Sequence, residues 1–177
     1  MSDNLKHLFV PQQDDYSCGA ACLATVARLY QLAAVDYDAF RVLLDPNPET
    51  GSSALKMAEV SRGYLPVESL GEDSYNGGVA IANITEDEGH YVVFLCRKGD
   101  RVIYYDPYEH EVLVKDIDQI NWMSDPSWTS KTGYHLRRWS INFAPLPDNS
   151  FERWESLLKP APAPPAPNRY GPPPSSA

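Results

Sequence analysis

The segment from residue 18 to residue 32, CGAACLATVARLYQL, constrains the fold most, because Arg28 is its one charged residue. Its apolar side chains recur at helical spacing, at Ala20, Leu23, Ala24, Ala27 and Tyr30. A helix with so little polar surface must be buried on most of its sides. Asp15 and Ser17 stand just before it as candidate capping residues. The sequence therefore predicts a central helix with Cys18 in its first turn.

Two more helices and then a sheet are expected after this segment. The second helix is predicted over residues 37–44, and the third between Ser53 and Gly63. Short runs of β-branched and aromatic residues, separated by turn residues, predict strands at residues 79–81, 91–96, 102–105 and 112–114. A short helix within residues 116–122 and a last strand over residues 134–143 complete the pattern. Helices followed by an antiparallel sheet indicate an α+β fold.

Charge and composition exclude several classes of protein. The chain carries 15 basic and 24 acidic residues, and its net charge of −9 repels nucleic acid and anionic membrane surfaces. Its last 19 residues contain eight prolines and almost nothing to bury. We therefore expect a folded domain over residues 1–158 and a disordered proline-rich tail over residues 159–177. No apolar run approaches the ~18 residues of a membrane span, so we expect no membrane insertion, synthesis in the cytoplasm, and any export to proceed without a Sec signal.

Cys18 is the candidate nucleophile. A thiol at a helix start meets unpaired N–H groups and the positive end of the helix dipole, and both favour the thiolate. Gly19 beside it would let a substrate carbonyl approach the backbone N–H of Cys18. Cys22 and Cys96 lie among apolar residues and are expected in the core. Three cysteines in this arrangement form neither a disulfide framework nor a zinc site, so no metal or other cofactor is expected.

His90 is the candidate base. It opens the strongest predicted strand, and Gly99-Asp100 predicts a tight hairpin after that strand. The start of one strand and the end of the next then lie at the same edge of the sheet, which brings His90 near Asp106. A carboxylate there can hold the imidazole in the orientation that proton transfer needs. The other histidines lie near a terminus, in a turn and at the start of a late strand, at His7, His110 and His135.

Two glutamines precede the helix and are candidate donors to an oxyanion. Gln12 lies six residues before Cys18, and its side-chain amide can face the Cys18 backbone N–H. Gln13 is its neighbour and rival. The residues alone leave the choice between them open, with Gln12 preferred.

These residues together resemble a known family. The opening QQDDYSCGAA of residues 12–21 resembles the Gln-x5-Cys-Gly-x-Ala motif of the bacteriocin-processing, double-glycine-leader peptidases, which are papain-like cysteine peptidases. Residues 89–93, GHYVV, and residues 105–107, YDP, are similar to the Gly-His-aromatic-Val-Val and Asp-Pro segments of that family. The likeness runs from about residue 8 to residue 125 and includes residues 51–53, GSS.

The resemblance implies a papain-like fold, no metal, and acylation of Cys18 followed by hydrolysis. It implies a Cys18–His90–Asp106 triad with Gln12 as the oxyanion donor. It also implies a protein or peptide substrate. Family members that process leaders are usually fused to a membrane transporter, whereas this chain carries a proline-rich tail.

Three functions follow from these observations. The first is a cysteine peptidase that processes a peptide or acts as an interbacterial toxin, in which case an immunity or inhibitor protein would be a second partner. The second is an amidase or transpeptidase that acts on a non-protein amide by the same chemistry. The third is a catalytically idle module that only binds peptide, and the intact set of four site residues speaks against it.

Overall fold

Three helices form the first half of the chain. The structure is a computed structural model and describes residues 4–32, 35–71, 73–86, 88–120, 122 and 138–158. The helices are α1 (Cys18–Leu29), α2 (Tyr37–Leu44) and α3 (Ala54–Tyr64). Every residue of α1 except Arg28 is buried, as its composition predicts. The expected proline-rich tail lies outside the described residues.

The ends of α2 and α3 follow from local sequence. Asp36 caps α2 by accepting a hydrogen bond from the N–H of Ala39 at 3.1 Å, and Ser53 caps α3 through the N–H of Lys56 at 3.1 Å. Short polar side chains satisfy these N–H groups because the helix itself offers them no acceptor. Both predicted helix starts are confirmed.

An antiparallel sheet forms the second half of the chain. Within the described ranges it has six strands, β1 (Val67–Gly71), β2 (Ala80–Glu86), β3 (Glu88–Lys98), β4 (Arg101–Asp106), β5 (Glu111–Asp116) and β6 (Ser140–Phe143). Their order across the sheet is β1-β6-β2-β3-β4-β5, and each neighbouring pair is antiparallel. The predicted α+β fold is thus confirmed.

Two of the expected elements differ from the prediction. The last strand is shorter, because β6 begins at Ser140, and residues 134–137 lie outside the described residues. The helix expected within residues 116–122 is a single 3₁₀ turn at Ile117–Gln119. The strand β1 was not predicted, since its sequence VESLG has no apolar run.

Two neighbouring strands, β3 and β4, are buried on both faces. On one face α1 packs over a core that includes Val93, Ile103 and Tyr105. On the other face a second cluster contains Phe94 and Tyr104. Such strands are apolar without alternation, and their sequences show this continuous pattern.

A β-bulge at Leu95 interrupts the pairing of these strands. Phe94 faces Tyr104, but the next paired residue is Cys96, which faces Ile103. Leu95 and Cys96 therefore both contribute to the core beneath α1. The bulge carries one extra residue in β3 and shifts the register of all residues before it.

A short C-terminal helix, α4 (Phe151–Glu155), is tied to this bulge. Asn149 donates a hydrogen bond from Nδ2 to the carbonyl of Leu95 at 2.8 Å. The same side chain accepts at Oδ1 from the indole Nε1 of Trp154 at 2.6 Å. Leu95 and Trp154 are both fully buried, so Asn149 satisfies two polar groups that have no access to water. No helix in the described part of the chain is long and apolar enough to cross a membrane.

Asn149→Ala should lower the free energy of unfolding by about 2 kcal/mol, because it leaves a buried carbonyl and a buried indole N–H without partners. Denaturant titration measures this directly. Asn4→Ala, at an exposed position, is the matched control and should change stability little. Equal small effects of the two variants would contradict the bridging role of Asn149.

Candidate active site

The β3–β4 hairpin brings His90 and Asp106 together. Gly99 begins its tight turn with φ +60°, in the region that favours glycine. His90 lies near the start of β3, and Asp106 is the last residue of β4. Antiparallel pairing therefore places both at the end of the hairpin that lies away from the turn. The His90 Nε2 lies 2.7 Å from the Asp106 Oδ1.

The bulge at Leu95 decides which face of the sheet these two side chains share. The turn pairs Lys98 with Arg101. If this register continued without interruption, Asp106 would pair with Val93. Its side chain would then lie on the opposite face of the sheet from that of His90. After the bulge Val93 pairs with Tyr105 instead, and this register, continued by one residue, sets Asp106 against Val92. His90, two residues before that position, then lies on the same face as Asp106, as a diagonal neighbour.

Asp106 is held as a carboxylate in a buried position. It is 3% exposed, and its Oδ1 accepts hydrogen bonds from the backbone N–H groups of Tyr108 at 2.9 Å and Glu109 at 3.4 Å. Burial acts to raise the pKa of this carboxyl, but the hydrogen bond and charge of His90 and the two N–H groups outweigh burial and lower it. The turn after Pro107 supplies these N–H groups, and an Asp-Pro pair is a sequence signal for such a turn.

Cys18 lies on the other side of His90. It is the first residue of α1 and is 7% exposed, and its thiol is close enough to the His90 ring to raise the pKa of that ring. Since Nε2 of His90 faces Asp106, Nδ1 is the nitrogen left for the thiol. Burial lowers the pKa of His90, but the hydrogen bonds and negative charges of Asp106 and Cys18 outweigh it and raise the pKa to about 10.

The cap of α1 differs from the prediction. Ser17 occupies the capping position but makes no capping hydrogen bond; its hydroxyl bonds that of Tyr37 instead. The first helical hydrogen bond runs from the N–H of Ala21 to the carbonyl of Ser17, so Ser17 leaves the N–H groups of the first turn uncapped. Packing also favours glycine at position 19, because a Cβ there would lie 2.8 Å from the sulfur of the buried Met57, which would have to shift.

Gln12, rather than Gln13, lies next to the Asp106 turn. Its backbone N–H donates to the carbonyl of Pro107 at 3.1 Å, and its Nε2 donates to the carbonyl of Asp14 at 2.7 Å. The Gln12 Oε1 is buried and has no hydrogen-bond partner among the residues that the structure describes. Gln13 is exposed.

The other thiols and histidines of the described residues stay apart from this arrangement. Burial, and then the charges of Cys18 and Asp106, raise the pKa of Cys22, and burial raises the pKa of Cys96 to about 11. His110 bonds the hydroxyl of Tyr105 through Nδ1 at 2.9 Å, and His135 lies outside the described residues. No group of three His, Cys, Asp or Glu side chains in the described ranges is arranged to hold a metal ion.

Comparisons with solved structures identify similar folds. The chain is 23% identical to the peptidase domain of Streptococcus ComA, described as a bifunctional ABC transporter in a quorum-sensing pathway, with a TM-score of 0.58 over 77% of this chain and 97% of that domain. It is 24% identical to a double-glycine-motif protease from an AMS/PCAT transporter, solved in complex with the leader peptide, with a TM-score of 0.52 over 63% of this chain and 80% of that one.

Sequence comparison assigns the family. No curated protein matches the chain. The model of the peptidase C39 family matches residues 6–122, a span that includes Gln12, Cys18, His90 and Asp106. Because this match covers well over half of the chain, the protein belongs to the peptidase C39 family and is a cysteine peptidase.

Proposed function

We propose that Cys18, His90, Asp106 and Gln12 form the catalytic site, and that the enzyme hydrolyses the peptide bond after a double glycine in a leader-type peptide. The observation that carries the catalytic assignment is the 2.7 Å hydrogen bond between the His90 ring and the buried Asp106 carboxylate, together with the interaction of the same ring with the Cys18 thiol. Nucleophile, base and orienting group lie in the order that covalent catalysis by a thiol needs.

Acylation begins at the sulfur of Cys18. The thiolate attacks the scissile carbonyl carbon and forms a C–S bond, and the carbonyl oxygen becomes an oxyanion. The N–H of Cys18 and the Nε2 of Gln12 donate hydrogen bonds to that oxygen. When the C–N bond breaks, the protonated His90 gives its proton to the leaving amine, and a thioester remains on Cys18.

Deacylation reverses the roles of the same groups. The now neutral His90 accepts a proton from water, and the hydroxide attacks the thioester carbon. The C–S bond breaks, the product leaves as a carboxylic acid, and Cys18 and His90 return to the thiolate and imidazolium pair. Asp106 keeps the imidazole in place throughout and does not take the proton.

The substrate class is supported by the site and by a relative. One similar structure is a double-glycine-motif protease with its leader peptide bound. Cys18 is 7% exposed, so little room surrounds the sulfur. Glycine residues bring no Cβ to the scissile bond and let a backbone carbonyl approach a thiol of such low exposure.

The test is a comparison of internally quenched peptides that carry Gly-Gly or Ala-Ala at their centre. Wild-type enzyme should cleave the Gly-Gly peptide after the second glycine, with kcat/KM about 100-fold above that for Ala-Ala, since each methyl must enter a crowded site. Cys18→Ala and His90→Ala should each lower kcat by about 1,000-fold or more. Asp106→Asn should lower it by only about 10-fold, because the amide oxygen still orients the imidazole.

Cys96→Ala is the matched control and should keep full activity, since this thiol lies outside the site. Turnover by Cys18→Ala at the wild-type rate would refute the catalytic assignment. Cleavage of non-protein amides, with no cleavage of either peptide, would contradict the proposed peptide substrate and indicate an amidase.

His90 should remain protonated at pH 8, because its pKa is raised to about 10. The pKa of histidine in the unfolded chain is about 6.5. Protonated His90 therefore contributes fully to the free energy of unfolding below about pH 6.5, and this contribution is lost as the pH rises from there through about 10. NMR titration of the His90 ring, assigned by its absence in His90→Ala, measures this pKa. Asp106→Asn should lower it, and titration of the wild-type ring near 6.5 would contradict the ion pair.

A further inference from the structure

The loop that carries Gln12 into α1 has no regular secondary structure from residue 11 to residue 17. An oxyanion donor must nevertheless be held in place before the substrate arrives, since its contribution depends on preorganisation. The position of Gln12 must therefore come from contacts that other parts of the chain make with this loop.

The Gln12 side chain depends on Asp14 for its orientation. Among the described residues it makes one hydrogen bond, from Nε2 to the backbone carbonyl of Asp14 at 2.7 Å, while its Oε1 has no partner. Exchange of the amide nitrogen and oxygen would place two acceptors together. The carbonyl of Asp14 thus decides where the second N–H of Nε2 points.

Arg41, on α2, holds Asp14. Its Nη2 donates to the Asp14 Oδ2 at 3.0 Å and to the Tyr16 hydroxyl at 3.1 Å, and its guanidinium carbon lies 5.6 Å from the centre of the Tyr16 ring. The other carboxylate oxygen of Asp14 accepts from the N–H of Tyr16 at 3.2 Å. One guanidinium therefore joins two residues of the loop through charge and stacking together.

Tyr37 supports the same loop from one helical turn earlier. Its hydroxyl accepts from the N–H of Gln13 at 3.3 Å and bonds the hydroxyl of Ser17. Because residues four apart lie on one face of a helix, Tyr37 and Arg41 present a single face of α2 to the loop between Gln12 and Cys18.

We propose that Arg41 is a positioning residue for the oxyanion hole, which acts through Asp14 to orient the Gln12 amide. This inference rests on the proposed role of Gln12 in catalysis. Arg41 is 41% exposed in its side chain, so its ion pair contributes little to global stability, as exposed pairs generally do. The effect of removing it should therefore fall on kcat and not on folding.

The experiment is a double-mutant cycle with the quenched Gly-Gly peptide. Arg41→Ala should lower kcat by about 10-fold with KM nearly unchanged, because a displaced donor weakens transition-state binding only. Gln12→Ala should lower kcat by about 100-fold. The double variant should be no slower than Gln12→Ala, since Arg41 acts through a side chain that is then absent. Arg41→Lys keeps the charge beside Asp14 but loses the planar guanidinium, so its kcat should fall between those of wild type and Arg41→Ala.

Iodoacetamide separates a positioning role from a general disturbance of the site. Alkylation needs the Cys18 thiolate but no oxyanion hole, so Arg41→Ala should alkylate within about twofold of the wild-type rate. Arg62→Ala, on the exposed surface of α3, is the matched control and should leave both rates unchanged.

Three results would overturn the inference. The first is an unchanged kcat in Arg41→Ala. The second is a loss of kcat in the double variant that equals the product of the two single losses. The third is a rate of Cys18 alkylation in Arg41→Ala that falls together with kcat. If Gln12→Ala kept full activity, both the proposed role of Gln12 in catalysis and the inference about Arg41 would be refuted. A loss in Gln12→Ala without one in Arg41→Ala would overturn the inference about Arg41 alone.

Discussion

The hydrogen bond between His90 and Asp106 is the interaction on which the rest of the site depends. It is possible because of the register in which β3 and β4 pair. His90 and Asp106 share a face of the sheet through the combination of a tight turn at Gly99 and an extra residue at Leu95. The turn alone would direct the two side chains to opposite faces. Asn149, more than forty residues beyond Asp106 along the chain, donates to the Leu95 carbonyl at the bulge and accepts from the indole of Trp154, so the C-terminal segment supports the register that joins His90 to Asp106.

The second half of the site comes from the helices and meets the first half at His90. Cys18 enters through the first turn of α1, and the loop before it is joined to the Asp106 turn by the hydrogen bond from Gln12 to Pro107. Asp106 and Cys18 both interact with the His90 ring and favour its protonated form despite burial. A buried charge is tolerable here because Asp106 and the thiol compensate for the loss of water.

Elements built from local patterns could be predicted from the sequence, and those built from distant contacts could not. The apolar run of α1, the caps of α2 and α3 and the turn at Gly99-Asp100 are all local signals. The sequence offers Asp15 and Ser17 as caps for α1, but the hydroxyl of Ser17 bonds that of Tyr37, which is distant in sequence. The edge strand β1 depends on pairing with β6 rather than on its own residues. The bulge at Leu95 and the ion pair between Arg41 and Asp14 likewise have no signal in the local sequence.

The most direct test of the account is a crystal structure of the enzyme with a peptide aldehyde that ends in Gly-Gly. We expect a covalent bond between the Cys18 sulfur and the aldehyde carbon. The resulting oxygen should accept hydrogen bonds from the Cys18 N–H and the Gln12 Nε2, with His90 still bonded to Asp106. Attachment of the aldehyde to Cys22 or Cys96, or a His90 ring separated from both Cys18 and Asp106, would contradict it.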